Sequence, residues 1–151
     1  MRRSVSLGVL LAGVAILALA SGPTGSSVAD HQSKAVGTIR SINTAQVVYA
    51  KTYSSVGYAC SLGPLLVGPA GAKPSAEHAG LLDNSLREER NRMYRFTVDC
   101  MDKSKPSKSY RSSAVPLEKG ARAFCSDQTA VVKSSADGKA ETCFAKGTPL
   151  K

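Results

Sequence analysis

The hydrophobic period of this chain changes once, and that change restricts it to a mixed architecture. Between Asp30 and about Tyr53 there is no proline, and Ala35, Ile39, Ile42, Tyr49, Ala50 and Tyr53 recur at helical spacing on one face. From Tyr94 onward the apolar residues alternate instead. Tyr94, Phe96, Val98 and Cys100 are separated by Arg95, Thr97 and Asp99, the two-residue period of a strand with one buried and one wet face. Asp30 is placed to cap the helix. Gln46 interrupts the apolar stripe, and Gly37 with several Thr and Ser residues lowers helix propensity, so packing on a sheet must hold the helix. The expected fold class is α+β: a long N-terminal amphipathic helix on a small antiparallel sheet.

Between these two regions, Gly57, Gly63-Pro64, Gly68-Pro69, Gly71 and Pro74 break regular structure, so residues 54–74 are expected as loop. A short helix capped by Ser75, with Leu81, Leu82 and Leu86 on its apolar side, is expected next. Further strands are expected over residues 108–116, 121–125 and 130–134, with Asp137-Gly138 as a two-residue hairpin turn.

The first twenty residues set the compartment. Arg2 and Arg3 precede an uncharged stretch over residues 5–20 that is rich in Leu, Val and Ile, and Ala18 and Ala20 satisfy the small-residue rule for signal cleavage. Cleavage is expected between Ala20 and Ser21, followed by a Gly/Ser/Pro linker over residues 21–29 and one domain over residues 30–151. Sixteen uncharged residues fall short of the roughly 20 needed to span a bilayer as a helix, so membrane attachment is expected only if this segment stays uncleaved. The expected location is therefore periplasmic or secreted. In an oxidising compartment Cys60, Cys100, Cys125 and Cys143 are free to pair, and four cysteines allow three connectivities. A loop closed by Cys125 and Cys143 around the Asp137-Gly138 turn is the first choice, and Cys60 with Cys100 then follows by elimination.

Twenty Lys and Arg residues against eleven Asp and Glu give a net charge of +9. That surplus is compatible with a nucleic-acid or other polyanionic partner. The dense groups are Arg87, Arg90, Arg92 and Arg95, then Lys103, Lys105, Lys108 and Arg111, each diluted by acidic neighbours such as Glu88, Glu89, Asp99 and Asp102. No Trp is present to build a base-stacking platform. The two histidines, His31 and His78, lie in different segments, which gives no metal-ligand spacing. There is no Gly-x-Ser-x-Gly elbow and no Gly-rich phosphate loop, so neither catalysis nor a cofactor is expected. Asp127 is expected to cap a turn after a strand.

The run Ala35-Val36-Gly37-Thr38-Ile39-Arg40-Ser41-Ile42-Asn43-Thr44-Ala45-Gln46, the tyrosines Tyr49 and Tyr53, and the segment Gly57-Tyr58-Ala59-Cys60-Ser61-Leu62 together resemble bacterial type IV pilin-like proteins. Leu81-Leu82-Asp83-Asn84-Ser85-Leu86, the strand from Tyr94 to Val98, and Phe124-Cys125-Ser126-Asp127-Gln128-Thr129 continue the resemblance over about residues 34–150. It implies a pilin-like head, with a helix on an antiparallel sheet and a disulfide-closed segment near the C-terminus. It also implies a structural or accessory role beside other pilin or secretion-machinery proteins. The N-terminus departs from the family pattern: counting from Gly8, the fifth residue is Gly13 rather than Glu.

Overall fold

The computed structural model describes residues 27–87, 93–102 and 104–151. The expected signal segment, the cleavage point at Ala20 and Ser21, and Arg90, Arg92 and Lys103 lie outside the described residues. Of the expected linker, only residues 27–29 are described, and they already begin the helix.

Helix α1 spans Val28–Thr52. Its N-cap is Ser27 rather than the expected Asp30. The Ser27 hydroxyl accepts the Asp30 N–H at 3.2 Å, and the Asp30 carboxylate accepts the Ser27 N–H at 3.0 Å. This reciprocal pair satisfies two donors that would otherwise be unpaired at the helix start. The expected stripe is buried at Ala35, Ile39, Ile42 and Tyr49, and half-buried at Ala50 and Tyr53. Thr38, Ser41 and Thr44 turn their hydroxyls back onto the carbonyls four residues earlier, which lets polar residues sit on the exposed side of the helix.

Among the described residues, β1 (Tyr94–Cys100), β2 (Tyr110–Pro116), β3 (Ala123–Asp127), β4 (Lys133–Ser135) and β5 (Thr148–Pro149) pair in chain order, all antiparallel. A short helix α2 (Ala140–Lys146) lies between β4 and β5. Strand alternation divides the sheet's side chains between its two faces. Tyr94, Val98, Tyr110, Ala114 and Phe124 pack toward α1, while Cys125 is bonded to Cys143 of α2 on the opposite face. The main core is therefore α1 against one face, and α2 closes the other.

The disulfides are Cys60–Cys100 and Cys125–Cys143. They close loops whose ends are 40 and 18 residues apart, a restriction of the unfolded chain that stabilises the fold by about 3 to 4 kcal/mol each in the chain-entropy model.

Two expected elements are corrected. The α-helix expected to start at Ser75 does not form over the described residues 75–87. Ser75 and His78 exchange backbone hydrogen bonds in a turn, and the N–H groups of Ala79, Gly80 and Leu82 donate to the carbonyls of Pro64, Leu66 and Leu65. Gly80 at φ 68° breaks the helical path, and a short 3-10 turn, Asn84–Arg87, is all that remains of that helix. Likewise, Asp137-Gly138 does not close a hairpin. Asp137 accepts the Lys139 N–H and the Thr142 hydroxyl, so the turn opens α2 instead. Strand boundaries shift as well: β2 starts two residues late, β3 covers Ala123–Asp127, and β4 begins at Lys133 because Ala130 turns the chain at φ 59°.

Gln46, the flaw in the apolar stripe, is fully buried and donates from Nε2 to the Ala59 carbonyl at 2.8 Å while its Oε1 accepts the Ala59 N–H at 2.9 Å. It replaces the strand partner that Ala59 lacks. Gln46→Leu keeps the volume and strands both backbone groups, at about 1 to 3 kcal/mol each. Urea unfolding should show a clearly lower midpoint with an unchanged slope. An unchanged midpoint would refute this role for Gln46.

Candidate functional site

One groove lies beyond the C-terminal end of α1 and another runs along the helix. The larger, about 540 Å³, is built by the turn that ends α1, by the end of β1 and by the loop over residues 101–109. Ser55 and Val56 supply one wall, Asp99 and Cys100 a second, and Asp102, Lys105 and Ser107 the third, with Cys60 at the rim. This loop is placed by two backbone contacts: the Ser107 N–H donates to the Val56 carbonyl at 2.9 Å, and the Tyr58 N–H donates to the Ser107 carbonyl at 3.1 Å. Between them Gly57, at φ 78°, passes so close to Ser107 that a Cβ would collide with the Ser107 carbonyl oxygen. Only glycine fits there.

Asp102 organises the same loop. Its carboxylate accepts the hydroxyls of Ser104 and Ser109, both at 2.7 Å, and the Lys108 N–H at 3.1 Å. These donors, the Ser104 hydroxyl first, hold its pKa far below the usual carboxylate range. Asp30, Glu77 and Asp137 are lowered for the same kind of reason, each by a neighbouring hydroxyl or N–H that it accepts. Their shifts arise from turns and caps that shape the backbone.

The second groove, about 480 Å³, runs along the solvent side of α1, where Arg40, Thr44 and Val48 face Leu81, Leu82 and Asp83. Val47 and Val48 stand 57% and 42% exposed beside it, an unusual pair for a helix whose other face is fully packed.

Of the basic residues that the sequence singles out, Arg87, Arg95, Lys105, Lys108 and Arg111 are described, and they lie on different elements. Arg87 ends a 3-10 turn, Arg95 lies near the start of β1, Lys105 and Lys108 sit in the loop before β2, and Arg111 is at the start of β2; all five are exposed. Arg111 is flanked in the sheet register by Asp99 on one side and Asp127 on the other. Its guanidinium is 3.9 Å from Asp99 and 5.1 Å from the centre of the Phe144 ring. An exposed pair of this kind adds little stability, but it lowers the local positive potential. Asp127 accepts the Thr129 N–H and hydroxyl, the turn role expected for it. Among the described residues no group of three or more His, Cys, Asp or Glu side chains is arranged to hold a metal ion.

What sequence reasoning missed is the pairing of residues 56–58 with Ser107. Its signal was present in Gly57, the one glycine between the helix and Cys60, but nothing in the sequence pattern names Ser107 as its neighbour. Comparison of the chain with family models, with curated proteins and with solved structures finds no match.

The depressed pKa of Asp102 fixes the sign of a pH effect. The loop is held wherever Asp102 is ionised, so its contribution is complete above the unfolded value near 3.8 and is lost only as pH falls through the lower folded value. The Lys108 amide should therefore stay protected from hydrogen exchange at pH 4 in the native protein and lose that protection in Asp102→Ala. Equal protection in the two proteins would contradict the assignment.

Proposed function

We propose that this chain is an exported, non-catalytic, pilin-like module that acts through surface contacts with pilin-type or secretion-machinery proteins. The observation that supports it most is architectural: a 25-residue helix lies along an antiparallel meander whose C-terminal part is closed by Cys125–Cys143. The two disulfides fit an oxidising, exported environment. No described helix is long and apolar enough to cross a membrane. The solvent face of α1, with exposed Val47 and Val48 beside a groove, is the surface we assign to partner contact, because apolar side chains exposed next to a concave wall are the anchors that association buries.

The polyanion reading has weaker support. It needs one continuous basic face, whereas the described members of the two groups are distributed over a turn, two strands and a loop, and Arg111 is flanked by carboxylates.

The test combines processing with contact. The native protein should be recovered outside the cytoplasm as a chain that begins at Ser21, with no cysteine open to alkylation before reduction. A photo-crosslinker at position 47 should capture a pilin-type or secretion-type envelope protein, and Val48→Glu should abolish that adduct without changing the thermal midpoint. A cytoplasmic protein with four free thiols would overturn the proposal, as would a crosslinker that captures only unrelated proteins.

A further inference from the structure

The two disulfides differ in their access to an attacking thiol. Cys125 and Cys143 are 1% and 0% exposed, enclosed between β3 and α2. Cys60 is exposed and Cys100 half-buried, and both line the 540 Å³ groove, which is large enough to admit a small peptide thiol. The Ser107 hydroxyl lies 3.1 Å from Cys100 Sγ, with the Ser109 carbonyl as its other acceptor at 3.3 Å. A thiolate accepts a hydrogen bond far more strongly than a disulfide sulfur, so that hydroxyl favours the state in which Cys100 has been released.

We propose that Cys60–Cys100 is a thiol-exchange site, at which a small thiolate bonds to Cys60 Sγ and expels Cys100 as a thiolate held by the Ser107 hydroxyl. The attacking sulfur forms one S–S bond to Cys60 as the Cys60–Cys100 bond breaks, and the electron pair of that bond leaves on Cys100 Sγ. The attacking thiol is oxidised to a mixed disulfide and Cys100 is reduced, so no further oxidant is needed. Return attack by Cys100 on Cys60 restores the original bond and releases the thiol. A leaving group stabilised as thiolate accelerates the first step, and exposure selects which sulfur is struck.

Opening need not unfold the chain. The hydrogen bonds from the Ser107 N–H to Val56 and from the Tyr58 N–H to Ser107 keep the two loops together without the covalent link. Gln46 holds Ala59, the residue before Cys60, from the helix side. The site is therefore built to open and close locally, whatever partner α1 contacts.

The test uses the full native chain, with reduced glutathione as probe, acid quenching, alkylation and peptide mass mapping. Glutathione is expected on Cys60, alkylation on Cys100, and Cys125–Cys143 intact in the same molecules. Ser107→Ala should slow opening by about threefold to tenfold, the range of one hydrogen bond, and Ser107→Thr should restore it. Circular dichroism of each variant separates slow exchange from misfolding. Simultaneous opening of both disulfides, glutathione on Cys100 in place of Cys60, or an unchanged rate in a folded Ser107→Ala protein would each overturn the proposal.

Discussion

The position of α1 on the sheet is fixed by buried amides more than by its apolar stripe. Asn43 lies one turn from Gln46 and is 5% exposed. The Tyr110 hydroxyl donates to Asn43 Oδ1 at 2.9 Å, Asn43 Nδ2 donates to Ser126 Oγ at 2.9 Å, and Ser126 donates onward to the Val131 carbonyl at 3.0 Å. Because a carbonyl can only accept, the direction of each bond in the series is determined. Burial pushes the Tyr110 phenol far above its ordinary range, with Tyr58 and Asp127 adding to the shift, so it remains a neutral donor. One helix residue thereby addresses β2, β3 and the turn before β4. Ile39 and Ile42 bury area but would tolerate a helix rotated or slid by a fraction of a turn; a satisfied buried network tolerates neither.

The rest of the architecture extends from that contact. With α1 anchored across β2 and β3, its C-terminal end delivers residues 56–60 to the far end of β1, where Gly57 meets Ser107 and Cys60 meets Cys100. On the other face, Cys125 at the centre of β3 receives Cys143 from α2. Each disulfide thus fixes an element that the sheet's own hydrogen bonds do not reach. Among the described residues, exposed surface includes Val47 and Val48 of α1 and the groove beside the exposed disulfide.

The long helix, the first strand and the α+β class were legible in the sequence because each is written in a period, whereas four cysteines left three connectivities open and the first-choice pairing is the one the structure has. The failures have specific causes. Leu81, Leu82 and Leu86 imitate a helical face, yet Gly80 and the carbonyls of the 64–66 segment capture the backbone donors first. Asp137-Gly138 has the composition of a hairpin turn, but Thr142 lies where it can bond Asp137 and start a helix. Gln46 looked like a weakness of the stripe, since its partner, the backbone of Ala59, is beyond any local pattern. The candidate groove was invisible for the same reason: its walls come from three segments brought together only by the tertiary fold. The charge runs were easy to see, but the sequence does not show that strand register places Asp99 and Asp127 on either side of Arg111.

The most direct test of this account is a double-mutant cycle between Asn43 and Tyr110, with Asn43→Ala, Tyr110→Phe and the double variant compared by urea unfolding. If the buried network fixes the helix, the two changes are strongly non-additive, with a coupling of about 1 kcal/mol or more, because either one alone breaks the same series of bonds. Additive effects within about 0.3 kcal/mol would show that Asn43 and Tyr110 act independently, and would return the placement of α1 to its apolar stripe alone.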